Sequence, residues 1–300
     1  MNSILVVGSI GYDTISTPSG QRRDILGGSA NYFSLAAAHY APVRVVGVVG
    51  DDYKAEHRQM LESRNIDLRG LQQVPGKTFA WEGKYEKDMN EAQTLATHLN
   101  VFEKFHPVIP AEYRTSEFVF LANIDPVLQL QVLEQVKSPK FVGADTMNYW
   151  IHSKRPDLLK VLERIDVLLI NESELRQLTG CWNTIQGVRE VMKMGPKAVV
   201  IKRGEYGFVL FCEERYFILP AFPVENVVDP TGAGDTFAGG FLGRLAQHQK
   251  GWDREELKRA CVDGCLLASF TVQDFGLESL RRVTPQHIQE RLQAYRQVIA

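Results

Sequence analysis

Short apolar runs alternate with amphipathic segments along most of the chain. The apolar runs are rich in β-branched residues, which is typical of strands buried on both faces. The predicted strands are Ser3–Gly8, Val43–Val49, Phe118–Ala122, Phe141–Asp145, Val167–Ile170 and Ala198–Lys202. Apolar residues recur at helical spacing in Ala30–Tyr40, Tyr53–Arg64, Val127–Val136, Pro156–Leu162 and Ile185–Met194. Strands that alternate with helices predict an α/β protein with a parallel sheet.

Two stretches interrupt this alternation. Gly11–Asp24 is polar with scattered β-branched residues, and Thr78–Phe105 alternates with a period of two on either side of the polar turn Glu86–Asn90. The alternating positions are Phe79, Trp81, Gly83 and Tyr85, then Leu95, Thr97, Leu99 and Val101. This period predicts strands with one exposed face. We expect a small sheet that forms a lid (residues 11–26 and 77–105) on an α/β body (residues 1–10, 27–76 and 106–300); the alternative is an edge hairpin of the main sheet.

The last third of the chain has a different pattern. Phe208–Phe211 and Tyr216–Leu219 predict a hairpin, and long helical patterns follow at Ala233–Gln247 and Arg254–Phe270. A final helix is predicted from Thr284 as N-cap, with Pro285 as its first residue.

Composition and charge exclude several classes of protein. The 300 residues are 44% hydrophobic and carry a formal net charge of −2, with Lys and Arg scattered rather than clustered, so we expect no nucleic-acid partner. No apolar run approaches the ~18 residues of a membrane span, and no basic leader is visible, so we expect no membrane partner and a cytoplasmic location. The four cysteines lack disulfide or metal spacing, and Cys261 and Cys265 share one helix face that we expect to be buried.

The segment from Asp229 to Phe237 carries the strongest chemical signal. A loop with Gly232 and Gly234 leads directly into a predicted helix. Free N–H groups and the helix dipole make such a helix start an anion site. Asp235 lies in the first turn, where a carboxylate beside a bound phosphate is suited to accept a proton from an attacking hydroxyl. The alternative is a glycine-rich turn followed by an ordinary acidic residue.

The run Asp229-Pro230-Thr231-Gly232-Ala233-Gly234-Asp235-Thr236-Phe237 resembles the C-terminal signature of the ribokinase-type (PfkB) carbohydrate kinases. This resemblance implies a ribokinase-like three-layer α/β/α fold with a mostly parallel central sheet and a small β-sheet lid. It also implies ATP and Mg²⁺ as cofactors. In that family the Gly-Ala-Gly-Asp turn forms an anion hole and the Asp is the catalytic base. The resemblance carries these roles to Gly232, Ala233, Gly234 and Asp235.

A second match lies near the N-terminus, where Gly27 and Gly28 precede Asn31 and Asp13 lies upstream. In the family that this segment resembles, the corresponding Asp, Gly-Gly pair and Asn hold the hydroxyls of the substrate. A carboxylate accepts hydroxyl hydrogens and an amide both donates and accepts, which suits a polyol. Without the first signature, this segment would be an ordinary turn into a helix.

Further matches concern the nucleotide. Asn171 and Glu174 resemble the family's Asn-x-x-Glu motif, which implies contact with nucleotide phosphates and with Mg²⁺ through water, although the same spacing is also a helix capping box. Lys202, Gly204 and Gly207 occupy the place of the family's nucleotide turn; the alternative for Lys202 is a solvated lysine at a strand end. The resemblance also makes Thr231 a nucleotide-site residue and, with Asp229, a candidate for a monovalent cation such as K⁺.

The resemblance implies that the stretch Phe270–Ser279 lies near the adenine, although Phe270 and Phe275 suit a core equally well. Here Val272–Gly276 departs from the ribokinase pattern. No G-x-x-x-x-G-K-[ST] phosphate loop is present, and no G-x-G-x-x-G follows the first strand, which argues against other nucleotide-binding classes.

Together these segments predict in-line phosphoryl transfer from ATP to a hydroxyl of a small sugar-like molecule, with closure of the lid excluding water. The partner is a sugar or a nucleoside. Phe79, Trp81 and Tyr85 are suited to stack on a base, which motivates the nucleoside alternative, but they suit the apolar core of the lid equally well. A nucleotide- or metabolite-binding sensor without activity is the alternative of another class. Because unpaired strand edges invite pairing, the lid also offers an edge through which a homodimer could form.

Overall fold

The computed structural model describes residues 2–248 and 252–300. The strands in chain order are β1 Ile4–Val7, β2 Gly11–Thr17, β3 Gly20–Gly27, β4 Val43–Val49, β5 Ile66–Gln73, β6 Phe79–Tyr85, β7 Ala92–His98, β8 Phe118–Leu121, β9 Phe141–Asp145, β10 Val167–Asn171, β11 Ala198–Lys202, β12 Phe208–Cys212 and β13 Arg215–Leu219. The helices are α1 Ser29–Ala37, α2 Ala55–Glu62, α3 Pro126–Gln135, α4 Asn148–Ser153, α5 Arg155–Leu162, α6 Glu172–Thr179, α7 Thr184–Lys193, α8 Ala233–Gln247, α9 Arg254–Thr271, α10 Glu278–Arg282 and α11 Pro285–Val298.

A nine-stranded sheet forms the centre of the molecule, in the order β13-β12-β11-β10-β9-β8-β1-β4-β5. Its strands are parallel from β5 to β11, and β12 and β13 add an antiparallel hairpin at the other edge. The predicted strands and the predicted hairpin are therefore confirmed. The edge strand β5 was not predicted, because its sequence alternates polar and apolar residues instead of forming a continuous apolar run.

Helices cover both faces of this sheet. Alternate side chains of β8 show the division: Phe118 and Phe120 pack with residues of α1, α8 and α9, whereas Val119 and Leu121 pack with residues of α3, α5 and α7. The two apolar clusters confirm a three-layer α/β/α arrangement. Burial of Cys261 and Cys265 on one face of α9 is confirmed as well. Across residues 2–248 and 252–300, no helix combines the length and the apolar character needed to cross a bilayer.

A second sheet of four strands, in the order β3-β2-β6-β7, stands apart from the main sheet. The two interrupting stretches thus pair with each other, which rules out the edge-hairpin alternative. Ile15 and Tyr85 of this small sheet pack against Phe275 of the body, so the lid rests on it. The prediction of strand alternation as far as Val101 is wrong: β7 ends at His98, because Asn100 takes a left-handed φ of 50° and residues 100–104 form a 3₁₀ turn.

The C-terminal helices begin as the sequence indicates. The side chain of Thr284 accepts a hydrogen bond from the main-chain N–H of His287, and Pro285 is the first residue of α11. The predicted helices from Ala233 and from Arg254 correspond to α8 and α9. Since α8 packs against both α1 and α9 through small residues such as Gly239 and Gly240, its N-terminus is held at the carboxyl edge of the sheet.

Candidate active site

Three neighbouring parallel strands end in polar side chains at the carboxyl edge of the sheet. Asp145 ends β9, Asn171 ends β10 and Lys202 ends β11. The register places Asn171 opposite Lys202 and Leu169 opposite Asp145, so these strand ends lie side by side. Ligand sites of open parallel sheets form at this edge.

The N-terminus of α8 lies over these strand ends. Gly232 caps the helix with a left-handed φ of 75°, and a Cβ at this position would overlap the ring of Tyr32. Only glycine satisfies both constraints. Within the residues that the structure describes, no main-chain carbonyl accepts a hydrogen bond from the N–H groups of Gly234 and Asp235. The N–H of Gly234 is therefore available for an anion at the positive end of the helix dipole, whereas the N–H of Asp235 interacts with the carboxylate of its own side chain.

Lys202 is placed directly against this helix start. Its Nζ atom lies 2.9 Å from Oδ2 of Asp145, and the two side chains are 17% and 6% exposed. A Cβ built on Gly234 would lie 3.1 Å from the same Nζ atom. The solvated-lysine alternative is therefore wrong, because Asp145 holds the ammonium group beneath the first turn of α8.

Two carboxyl groups near Lys202, those of Asp235 and Glu174, have raised pKa values. Burial raises the pKa of Asp235 to about 7, the negative charge of Asp145 adds to this, and Lys202 opposes it. Burial and Asp145 likewise raise the pKa of Glu174 to about 7. Three carboxyl groups thus share one ammonium group, and a site with this surplus of negative charge is suited to a cation.

The Asn171–Glu174 pair forms a capping box, in which each side chain accepts a hydrogen bond from the main-chain N–H of the other residue. In the described part of the chain, no three His, Cys, Asp or Glu side chains are arranged as a complete set of metal ligands. Mg²⁺ commonly keeps several waters and binds through one or two carboxylates and phosphate oxygens. The residues present therefore fit Mg²⁺ held through water, and Glu174 is the carboxyl group that would hold it.

Asp13 defines the opposite side of the cleft. It is 4% exposed, and its carboxylate lies so close to Gly27 that any Cβ there would overlap it. Asn31 is 1% exposed and donates a hydrogen bond of 2.6 Å from Nδ2 to the carbonyl of Gly27. Burial raises the pKa of Asp13 to about 8, and the charges of Asp229 and Asp235 add to this. The predicted substrate carboxylate and the predicted base therefore lie within electrostatic range of each other.

Asp229 is fully buried and holds the loop before α8. Its two carboxylate oxygens accept hydrogen bonds of 2.9 Å from the N–H groups of Thr231 and Gly276. The hydroxyl of Thr231 donates to the hydroxyl of Tyr85 in the lid, at 3.2 Å. The small sheet thus contacts the anion site directly. A monovalent cation at Asp229 stays a prediction.

The predicted nucleotide turn lies next to the tip of the lid. Gly204 and Gly207 take φ values of 56° and 86°, and a Cβ on Gly204 would overlap the side chain of Asn90 between β6 and β7. On the expected adenine side, Phe275 packs beneath the lid. The centre of the Phe270 ring lies 3.4 Å from Cζ of the Arg291 guanidinium. Both aromatic rings are buried, which agrees with the core alternative.

Sequence reasoning missed Asp145 and Tyr32 as parts of this site. Asp145 ends a predicted strand, and a polar residue at a parallel strand's carboxyl end is a usable signal. Tyr32 gave no such signal, because its role depends on the approach of Gly232 from a distant segment.

N–H donors at a helix start, an ammonium group beneath it and a carboxylate in its first turn can together bind a phosphoryl group and accept the proton of an alcohol. Residues 1–282 match the family described as pfkB family carbohydrate kinase, and the chain belongs to that family. A cytidine kinase of Thermococcus kodakarensis is 34% identical over 265 residues, which are 86% of this chain and 93% of the relative. A nucleoside kinase of Methanocaldococcus jannaschii is 27% identical over 88% of this chain and 87% of the relative.

Solved structures show the same fold. The crystal structure of the Methanocaldococcus jannaschii nucleoside kinase superposes with a TM-score of 0.77 at 21% identity, covering 98% of this chain and 99% of that one. A Burkholderia thailandensis nucleoside kinase in complex with inosine gives 0.80 at 20% identity, with 97% of each chain covered. An E. coli protein described as a ribokinase II, in complex with ATP and Mg²⁺, gives 0.80 at 18% identity, with 98% of this chain and all of that chain covered.

Proposed function

We propose that this kinase transfers the γ-phosphoryl group of ATP to a hydroxyl on the sugar of a nucleoside. The observation that carries the proposal is that Asp235, in the first turn of α8, lies within electrostatic range both of Lys202 and of the buried carboxyl group of Asp13. The acceptor occupies the Asp13 side beneath the lid. The triphosphate occupies the Lys202 side, along the carboxyl ends of β10 and β11.

The chemistry follows from this placement. Asp13 and Asn31 bind and orient the hydroxyls of the acceptor. The attacking hydroxyl gives its proton to the carboxylate of Asp235 while its oxygen forms a bond to the γ-phosphorus and the bond to the ADP oxygen breaks. The N–H groups of the 232–235 turn and the ammonium of Lys202 stabilise charge on the phosphoryl oxygens. Mg²⁺, with Glu174 as its water-mediated partner, supplies further neutralisation of phosphate charge when bound.

The lid favours a nucleoside over a simple sugar. Trp81 and Tyr85 belong to the apolar cluster on the lid's inner face, whereas Phe79 packs on Phe102. A Cβ on Gly83 would overlap the indole of Trp81, so this ring lies flat against the strand. A flat indole under a closing lid is a suitable surface for a base, since aromatic stacking adds to the burial of apolar area. The relatives from Thermococcus kodakarensis and Methanocaldococcus jannaschii are named as a cytidine kinase and a nucleoside kinase.

A substrate panel tests this proposal. We expect ATP- and Mg²⁺-dependent release of ADP with at least one of cytidine, inosine and adenosine, at a kcat/KM well above that for ribose or other free sugars. Mass determination of the product should show one added phosphoryl group. Turnover with free sugars alone would exclude a nucleoside as the acceptor, and ATP binding without any turnover would support the sensor alternative.

The pH dependence provides a second prediction. Asp235 accepts a proton only as the carboxylate, and its pKa is raised to about 7 by burial and by Asp145. The carboxylate of Asp13, whose pKa is raised to about 8, must also be ionised to bind the acceptor. We therefore expect kcat/KM to rise with pH up to about 8 and to fall more than tenfold for each pH unit below about 7. The measurement is kcat/KM between pH 5.5 and 8.5 at saturating Mg²⁺. A flat profile across this range would show that no base with a pKa of about 7 acts in the reaction.

The remaining expectations stay predictions. Strands β3 and β7 form the two edges of the small sheet, and β7 is almost entirely exposed, so pairing with a second copy through the lid is sterically open. A monomeric mass in solution at working concentration would exclude it. The cytoplasmic location also stays a prediction.

A further inference from the structure

The carboxyl end of β8 lies in the middle of the cleft floor. The main-chain N–H of Ala122 donates to the carbonyl of Val7 at 3.0 Å, and a Cβ on Gly8 would lie 2.8 Å from that of Ala122. On the other side, β8 pairs with β9, which ends at Asp145. Asn123, the second residue after β8, therefore emerges between the segment that leads to Asp13 and the segment that holds Lys202.

The amide orientation of Asn123 is fixed by its neighbour in α4. The indole N–H of Trp150 donates to Oδ1 of Asn123 at 3.0 Å. Because an indole N–H is a donor only, the Asn123 atom that faces it must be the oxygen. The Nδ2 group then points away from Trp150, and its partner is the thioether sulfur of Met147 at 3.2 Å. A thioether is a weak acceptor, so this amide keeps most of its donor capacity unused.

Neighbouring polar groups are also short of partners. The hydroxyl of Thr146, a residue only 4% exposed, has no hydrogen-bond partner among the described residues. Oε1 of Gln129, which is 1% exposed, lacks one there too, although its Nε2 group donates to the carbonyls of Leu121, Ala122 and Asp145. Buried polar groups in native proteins nearly always have partners. These two groups show that the polar floor around Asn123 is not saturated by protein partners.

The charges around this floor favour a neutral ligand group. Lys202 is paired with Asp145, and the Nζ atom of Lys154 lies 3.6 Å from Oδ2 of Asp125. Each ammonium group near the floor is thus matched by a carboxylate. A carboxylate or phosphate on the acceptor would compete with these carboxylates for the ammonium groups, whereas a hydroxyl or carbonyl oxygen matches a neutral amide donor.

We propose that Asn123 is a specificity-determining residue, whose Nδ2 group donates a hydrogen bond to a neutral hydroxyl or carbonyl oxygen of the acceptor. This inference rests on the proposed function, since it uses the same cleft for the nucleoside. Asn123 thus complements Asp13: the carboxylate accepts from the acceptor's hydroxyls on one side, and the amide donates to an oxygen on the other.

The test combines protein variants with altered substrates. Asn123→Ala should lower kcat/KM for the preferred nucleoside about three- to tenfold, as expected for the loss of a neutral hydrogen bond. Asn123→Asp keeps an acceptor for Trp150 but places an oxygen where the donor was, so kcat/KM should fall about tenfold or more. Trp150→Phe removes the group that fixes the amide, and it should weaken discrimination between substrate analogues.

Analogues that lack one oxygen identify the contact. Deoxynucleosides and a base analogue without the carbonyl oxygen are each compared in wild type and in Asn123→Ala. For the analogue that lacks the contacted oxygen, the two proteins should have the same kcat/KM; for the others, the difference should persist. Thr115→Ala, in the exposed turn that precedes the same strand, is the matched control and should leave kcat/KM unchanged. Thermal unfolding and ATP affinity show whether each variant is folded.

Several results would overturn the inference. If folded Asn123→Ala and Asn123→Asp keep the wild-type kcat/KM and the same order of analogues, Asn123 does not contact the acceptor. If the wild type phosphorylates a free sugar but no nucleoside, the proposed function fails alone, and the same variants then test Asn123 on that sugar. If the wild type phosphorylates neither class, both proposals fail.

Discussion

Asp235→Asn is expected to lower kcat by about 10²–10⁴-fold while ATP still binds, because the amide cannot accept the proton of the attacking hydroxyl. Asn has nearly the same shape as Asp, and the N–H groups of the 232–235 turn and Lys202 remain in place. The loss should therefore appear in the chemical step. Single-turnover measurement of product formation, together with the Kd for ATP, separates the two effects.

The control is Asp253→Asn. Asp253 caps α9 by accepting a hydrogen bond from the N–H of Glu256, and Asn caps helices about as well as Asp. This variant should keep the wild-type kcat. Near-normal turnover of Asp235→Asn would show that another group takes the proton and would leave Asp235 with only an electrostatic role.

Most of the fold follows from local sequence patterns. Strands buried on both faces require continuous apolar runs, and such runs as Val167–Ile170 and Ala198–Lys202 have few other stable environments. The edge strand β5 escapes this rule because one of its sides has no strand neighbour, so polar side chains are tolerated there. The end of β7 depends on the left-handed backbone of Asn100, and period-two alternation alone does not show where such a residue ends a strand.

Some features of the site can likewise be predicted from the local sequence, and others cannot. The turn from Gly232 to Asp235 is a local structure, a glycine-rich helix start, and its chemistry is visible in the sequence. The pairing of Lys202 with Asp145 is not local, because it depends on the position of β9 two strands away from β11 in the sheet. Asn123 was missed for the same reason, since its importance depends on the neighbours that the strand order gives it and on the indole of Trp150.

Asp13 combines a functional benefit with a cost to stability. Its pKa of about 8 in the folded protein is far above the ~3.9 of an unfolded chain, and burial is the main cause. The folded state therefore binds a proton that the unfolded state releases between these values. The contribution of Asp13 to stability is complete below about pH 4 and is lost as the pH rises towards about 8. This loss of stability accompanies a carboxylate that is placed to bind the hydroxyls of the substrate.

Asp13→Asn should consequently change stability and activity in opposite directions. Because the amide has no charge to bury, we expect the Tm of the ligand-free variant at pH 8 to be roughly 2–5 °C above that of wild type, and the difference to shrink towards pH 5. In the same variant kcat/KM should fall roughly 10- to 100-fold, as expected for the loss of hydrogen bonds to a charged group.

Thermal unfolding between pH 5 and 8, with kcat/KM measured on the same preparations, tests both parts. Asp24→Asn, an exposed position in the same small sheet, is the matched control, and its Tm should follow the wild type at every pH. Parallel Tm curves for wild type and Asp13→Asn would show that the carboxylate is hydrated in the ligand-free protein, for example because the lid is open in solution. A stabilised variant with full activity would instead show that the buried carboxylate does not bind the acceptor, because its removal would then have no effect on the reaction.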